Sequence, residues 1–218
     1  MTKIFTVGNT KGGVGKSTNA LQLAIGLALS GSKVWLVDGD RQGTSLAALT
    51  VRAEAGLPPI SASAYTDGAT LRTQVKQQAH NYDYVVIDAG GRDSSALRAA
   101  LTVSDVVLIP FLPRSFDIWA LEDMAVLLEE TRAVHDIRAI AFLNMADPTG
   151  TDNEEAKEAV AQLPGMELLS VQLKRLKPLA YASGSGQHIS EYKPRHAKAC
   201  EEAAAFQQAV LDSVNTSV

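Results

Sequence analysis

This chain of 218 residues predicts an α/β fold, a mostly parallel twisted β-sheet flanked by helices on both faces. Three observations carry that prediction. Short β-rich runs alternate with segments of helical period along the whole length, the pattern of strands joined by crossover helices. Some of those runs, such as Tyr84-Val85-Val86-Ile87 and the stretch 106–112, are apolar without alternation, as strands covered on both faces must be. The first run passes through a glycine-rich loop directly into a helical pattern, so strand, loop and helix form one unit.

The elements follow in order. Residues 4–7 form the first strand. Over 17–30, Leu21, Ala24, Ile25, Ala28 and Leu29 fall at helical spacings, and Gly31 is a natural stop. A strand over 33–37 ends at Asp38-Gly39-Asp40-Arg41-Gln42-Gly43, and 44–52 reads as a short helix. Gly56, Pro58 and Pro59 mark a loop that leads to a weak strand near 60–65, before an amphipathic helix over 69–79. A strand over 84–88, a short helix over 94–101 and a buried strand over 105–110 come next. A long helix over 117–134 has Leu121, Met124, Leu127 and Leu128 on one face. A strand over 137–143 ends at Asn144, and the turn Asp147-Pro148-Thr149-Gly150 follows. A surface helix over 154–163, a last strand over 167–173, a loop with a short helix over 176–186 and a closing helix over 196–214 complete the chain. No linker, internal repeat or low-complexity tract divides it, so 1–218 is expected to be a single domain.

At 46% hydrophobic and 20% charged, the chain has enough apolar material for one sizeable core. Its longest apolar run, 106–112, is far short of the roughly 20 residues of a membrane span. With a strand at the N-terminus, no secretory leader is expected, and a cytoplasmic location fits. A single cysteine, Cys200, excludes an internal disulfide framework and any CxxC site, and is expected to be a small core residue of the last helix. The four histidines, His80, His135, His188 and His196, have no metal-ligand spacing and are expected in loops or at the surface.

The chemistry concentrates in Lys11-Gly12-Gly13-Val14-Gly15-Lys16-Ser17-Thr18. Glycines let backbone N–H groups point inward at phosphate oxygens, and the following helix N-terminus adds positive potential. Lys16 is placed to reach the β- and γ-phosphates of a nucleotide, and Ser17 to ligand Mg2+. The strict P-loop pattern has a glycine where Thr10 stands, and a second lysine, Lys11, heads the loop. Two further segments end strands in carboxylates: Asp38 and Asp40 after the second strand, and Asp88, followed by Ala89-Gly90-Gly91, after the apolar run 84–87. The latter is a Walker B pattern, presenting Asp88 toward Mg2+ directly or through water.

Over most of its length the sequence resembles the ParA-type partition ATPases of the ParA/MinD branch of P-loop NTPases. Lys11–Thr18 is similar to their deviant Walker A motif, 37–43 to their motif of two aspartates one residue apart, and 87–91 to their Walker B. The resemblance implies ATP and Mg2+ as cofactors. It makes Lys11 the signature lysine that crosses an ATP-bridged homodimer to the partner's phosphates, Asp40 the residue that positions the attacking water, and Asp38 a residue near Mg2+. Arg41 stands where the family usually has proline. Asn144 matches a position that contacts adenine; a strand-ending cap is its other reading.

The chain carries a formal charge of −4, yet from Gln172 to Lys198 six basic residues, Lys174, Arg175, Lys177, Lys193, Arg195 and Lys198, face a single acid, Glu191. That asymmetry points to a phosphate-tracking surface, with Lys174, Lys177, Lys193 and Arg195 as the candidate DNA contacts and a solvated face as the alternative. Family resemblance implies a nucleoid-associated partition ATPase for plasmid or chromosome, dimerising on ATP, binding DNA without sequence preference and hydrolysing weakly until stimulated by a ParB-like centromere-binding partner. With the first strand at residue 4, a small form without an N-terminal helix-turn-helix is expected. The alternatives are a positioner of protein cargo, a MinD-like membrane cycler and a metabolic P-loop enzyme. The membrane reading wants a basic amphipathic tail, whereas 200–218 holds Glu201, Glu202 and Asp212 and no lysine or arginine, so no membrane partner is expected.

Overall fold

The chain enters as β1 (Lys3–Val7) and turns through the glycine loop into α1 (Lys16–Leu29). It continues as β2 (Val34–Asp38), α2 (Thr44–Glu54), β3 (Ser61–Ala64), α3 (Gly68–Gln78), β4 (Tyr84–Asp88), α4 (Ser95–Leu101) and β5 (Val106–Phe111). The second half is α5 (Ser115–Arg132), β6 (Arg138–Leu143), α6 (Asp152–Ala161), β7 (Glu167–Leu168), α7 (Lys177–Gly184) and α8 (Ala197–Asn215). This computed structural model describes residues 1–91, 94–149 and 151–215, with the backbone alone for 115–120 and 215. Gly150 of the expected turn and residues 216–218 of the tail therefore lie outside the described residues.

Among the described residues the strands form one seven-stranded sheet in the order β3-β2-β4-β1-β5-β6-β7, every pair parallel. Alternation along each strand sends side chains to opposite faces. Leu36, Val86, Leu108 and Phe142 go to one face, under Leu23 and Leu27 of α1, Leu49 of α2 and Phe206 and Val210 of α8. Trp35, Val37, Val85 and Ile87 go to the other, under Leu71 and Val75 of α3. Val107, Ile109 and Phe111 continue that second face under Leu121, Met124 and Leu128 of α5. Both faces are buried, which is why these runs are apolar throughout. Asp67 caps α3 by accepting from Thr70 N, and Ser94 caps α4 by accepting from Leu97 N, each satisfying a first-turn donor.

One expectation is corrected. The last strand pairs only over Glu167–Leu168 rather than 167–173. Beyond it the chain still follows β6, with Leu169 N donating to Ala141 O and Leu173 N to Leu143 O, but skips the regular ladder between them. His188 lies in the loop between α7 and α8, as expected, and is buried there: its Nδ1 meets Ser190 Oγ at 2.7 Å. Cys200 sits half-buried on α8 against the small cluster of Leu179, Ala182 and Ile189. No helix among the described residues is long and apolar enough to cross a membrane.

Sheet order decides where the chemistry lies. The chain leaves β1 toward β2 and returns through β4 before crossing to β5 on the other side, so β1 stands at the point where the winding reverses. Ligands of open parallel sheets bind at such a crevice, at the carboxyl ends of the strands. Val7, Asp38 and Asp88, the last residues of β1, β2 and β4, are in register across those three neighbouring strands.

Candidate nucleotide site

The loop between β1 and α1 is held in shape by three asparagines. Asn9 is fully buried; its Nδ2 donates to Pro110 O at 2.8 Å, and its Oδ1 accepts from Lys11 N at 2.9 Å. Asn144, at the end of β6, donates from Nδ2 to Val14 O at 2.7 Å. Asn19 donates to Gly15 O at 2.9 Å. Gly15 is required twice over: its φ is 91°, and a Cβ there would lie 2.3 Å from Asn144 Nδ2. Gly15 also occupies the N-cap position of α1, where no side chain caps the helix. At Gly12 and Gly13 a Cβ would meet nothing within 4 Å, so the mouth of the loop is open. Open backbone at an uncapped helix N-terminus suits phosphate oxygens.

Lys16 is buried and bends back over the loop, donating from Nζ to Lys11 O at 2.7 Å. Burial lowers its ammonium pKa, while the charges of Asp88 and Asp40 oppose that shift. A Cβ at Gly91 would be 3.3 Å from Lys16 Nζ, and one at Gly90 would be 3.3 Å from Asp40 Cγ. The turn after β4 thus packs between the loop lysine and the loop after β2.

The carboxylates differ in what they do. Asp38 is fully buried and serves the backbone: Oδ1 accepts from Asp40 N at 3.0 Å and Oδ2 from Leu46 N at 2.9 Å, so it shapes the loop and caps the start of α2. Burial raises its pKa against those hydrogen bonds. Asp40 accepts from Gln42 N at 3.0 Å through Oδ1. Asp88 is pushed up to about 7, first by burial and also by the charge of Asp38; hydrogen bonds from Ser45 and Ser17 and the charge of Lys16 pull the other way. Its Oδ2 accepts from Ser45 Oγ, while its buried Oδ1 has no hydrogen-bond partner.

That orphaned oxygen is the observation against which a cation is tested. A buried carboxylate beside a serine hydroxyl, with one oxygen unpartnered, fits Mg2+, which binds through one or two carboxylates and completes its shell with water and substrate phosphates. Among the described residues no group of three or more His, Cys, Asp or Glu is arranged to hold a metal ion.

Lys11, Gly12, Gly13, Val14, Gly15, Lys16, Ser17, Thr18, Asp38, Asp40, Asp88 and Asn144 are thus gathered at one end of the sheet. Asn144's amide is directed to the loop backbone. Asn9 and Ser45 escaped the sequence reading because a lone Asn or Ser has no distinguishing spacing; Asn9's place just after the first strand was the one available signal. Asn144→Ala should free Val14 O and widen the loop. We expect nucleotide affinity to fall by about 2- to 13-fold, the effect of a lost hydrogen bond of about 0.5–1.5 kcal/mol, with a melting temperature close to the parent's; titration with a fluorescent ATP analogue measures it. An unchanged affinity would remove the clamp role.

The basic segment lies beside this end of the sheet through Lys174, which bridges to Ala146 just past β6. Lys177 opens α7, and Lys193 and Arg195 lie between α7 and α8. Arg175, Lys177, Lys193, Arg195 and Lys198 are exposed, whereas Lys174 Nζ is 3.6 Å from Glu202 Oε1. Glu191, the acid within the segment, is taken by Arg52 of α2, whose Nη1 lies 2.8 Å from Glu191 Oε2. Its charge is therefore spent inside the protein and does not offset the exposed cations.

Comparison with known proteins agrees with this fold. A family model described as an AAA domain matches residues 2–60, which span β1, the loop, α1, β2 and α2. Over 207 residues the chain is 28% identical to the maintenance of carboxysome distribution protein A of Halothiobacillus neapolitanus, across 92% of this chain and 93% of that protein. It is 27% identical over 225 residues to the protein ParA of Rhizobium radiobacter, across 99% of each. Among solved structures, the septum site-determining protein MinD of Pyrococcus horikoshii, complexed with Mg-ADP, shares the fold with a TM-score of 0.77 at 19% identity, covering 100% of both chains. A phosphate loop headed by a second lysine, on this sheet order and with these full-length likenesses, is consistent with the ParA/MinD family of P-loop NTPases.

Proposed function

We propose that the chain is an ATP-dependent DNA partition ATPase, for plasmid or chromosome, working with ATP and Mg2+. The observation that carries this is Lys11 at the head of an open loop whose other lysine, Lys16, already serves the chain's own site. A single nucleotide needs one such point charge. A second makes sense where two triphosphates face each other across a homodimer and each protomer supplies a cation to the other's phosphates.

In this reading Lys16 and the loop N–H groups bind the β- and γ-phosphates. Ser17 and Asp88 hold Mg2+, with Asp38 close by; the bound ion would neutralise charge on the phosphates. Asp40 orients the attacking water, and Asn144 keeps the loop closed around the nucleotide, near the adenine. The dimer brings two copies of the basic segment onto one duplex, so that contacts too weak in a monomer act together. Slow hydrolysis, stimulated by a ParB-like partner, releases it. The protein would then be cytoplasmic and nucleoid-associated.

A second reading keeps the cycle and changes the cargo. The 28% identity to a carboxysome distribution protein favours a positioner of a protein assembly that uses DNA as its track. Both readings share the DNA step, so that step is tested first. Binding to random duplex is measured with ATP, ADP and no nucleotide, at several salt concentrations, for the parent and for Lys174→Glu, Lys177→Glu, Lys193→Glu and Arg195→Glu. We expect DNA binding only with ATP. Each lost contact should lower the salt slope of log K by about 0.9, with little dependence on sequence. Lys174→Glu should have the smallest effect, because Glu202 already holds that ammonium. Parent-like binding in all four variants would reduce the segment to a solvated face. A parent that ignores DNA under ATP at low salt would favour a metabolic P-loop enzyme.

A further inference from the structure

Ser45 has no part in any motif, yet its position is unusual. It is the second residue of α2 and is completely buried. A serine there would ordinarily turn its hydroxyl to its own helix or to water. Instead Oγ donates across to β4, to Asp88 Oδ2 at 2.5 Å. The acceptor's other oxygen, Oδ1, is the buried atom left without a partner. Ser45 thus helps, together with Ser17, to set which of the two carboxylate oxygens is engaged and which remains available.

The donor is itself held in place. Asp38 accepts from Leu46 N, the residue next to Ser45, and from Asp40 N. Gly43 N donates to Asp40 O, closing the turn that starts α2. The loop that carries Asp40 is therefore pinned to Asp38 at both ends, and the Ser45 hydroxyl joins it to Asp88.

We propose that Ser45 is a positioning residue for the cation end of the site, fixing Asp88 with Oδ1 free for Mg2+ and locking the Asp40 loop to that geometry. The proposal rests on the reading of the chain as a Mg2+-dependent ATPase. Groups that orient a metal ligand from behind typically change metal affinity by about 10- to 100-fold when removed. Without the hydroxyl, the Asp88 carboxylate loses one of its two serine hydrogen bonds and is freer to rotate.

The experiment titrates Mg2+ into protein saturated with a fluorescent, slowly hydrolysed ATP analogue, and separately measures binding of that analogue in EDTA. For Ser45→Ala we expect the Mg2+ midpoint to rise about tenfold or more with metal-free binding unchanged. Ser45→Cys keeps nearly the same shape with a weak donor and should shift the midpoint in the same direction; it carries the test if the alanine variant melts below the assay temperature. Because Ser45 acts through Asp88, adding Ser45→Ala to Asp88→Asn should produce no further shift. A parent-like midpoint in a folded Ser45 variant overturns the proposal. So does an equal loss of metal-free and metal-dependent binding, which would mean general collapse of the loop, or full additivity with Asp88→Asn. If the parent itself shows no Mg2+-dependent binding of the analogue, the ATPase reading fails, an outcome distinct from a failure at Ser45 alone.

Discussion

Lys16→Ala is expected to leave a folded protein that no longer binds nucleotide. The lysine is buried, and its amine is held down in pKa first by that burial, against the attraction of Asp88 and Asp40. Its protein partner is one carbonyl, Lys11 O. Removing it therefore takes away a desolvated charge that packing does not require, and the melting temperature without nucleotide should change little. Binding is another matter. A hydrogen bond to a charged group contributes about 1.5–3 kcal/mol, and in the proposed site this ammonium would serve both the β- and γ-phosphates, so affinity should fall by roughly a hundredfold or more. Calorimetric titration with ATP and Mg2+, alongside a thermal melt, separates the two effects. Wild-type affinity in a folded Lys16→Ala protein would remove the loop from the phosphate site.

Glu191→Ala should have the largest effect on stability. Arg52 is 1% exposed, deep between α2 and the segment after α7. It donates from Nη1 and Nη2 to the two oxygens of Glu191, from Nη1 to Gly186 O and from Nε to Pro58 O. Gly186 permits this approach: a Cβ there would stand 2.2 Å from Ala48 O. Taking away the carboxylate leaves a buried guanidinium without its counter-charge. Such losses cost about 3–5 kcal/mol, and with Glu191 still 17% exposed the lower end applies, about 3 kcal/mol. For a chain of this size that lowers the melting temperature by roughly 6 to 12 °C. The double variant Arg52→Met with Glu191→Leu should recover most of it, since replacing a buried pair by apolar residues is often neutral. A double variant no better than the single one would show that the carbonyl contacts, rather than the charges, hold the segment.

The same pair predicts the acid limb of stability. Burial pushes the Glu191 carboxyl up, but hydrogen bonds from Arg52 and His188 N and the nearby positive charges outweigh it, so it titrates below its usual value of 4.5. Its contribution is present above about pH 4.5 and is lost as pH falls through the lower folded value. His188 is held neutral, its pKa lowered first by burial and then by Arg52, against Glu191. The unfolded chain takes up that proton first, so stability should already begin to fall as pH drops below about 6.5.

Some of this was legible before any fold was known. The loop Lys11–Thr18 and the aspartates at 38, 40 and 88 could be read because phosphate chemistry depends on neighbours a few residues apart, and those spacings are written in the chain itself. The strands were legible because burial on both faces demands apolar residues at every position; β4 matched its expected bounds for that reason. The final strand was overextended because Glu167–Leu173 has strand-like composition, while the ladder depends on where β6 stands beside it. The burial of His188 within its loop could not be read, because nothing local says that α1 and α8 lie against it.

What the sequence by itself determined is the phosphate loop, the strand-end carboxylates, the alternation that makes a parallel sheet and the excess of basic residues from 174 to 198. Only the tertiary structure decided how they act together. It is 130 residues from Val14 to the asparagine that holds its carbonyl, 43 from Ser45 to Asp88 and 139 from Arg52 to Glu191. The physical reason is that a hydrogen bond depends on distance in space. Residues far apart in the chain come within reach only when the sheet order has put their strands side by side and packing has brought the helices down onto them.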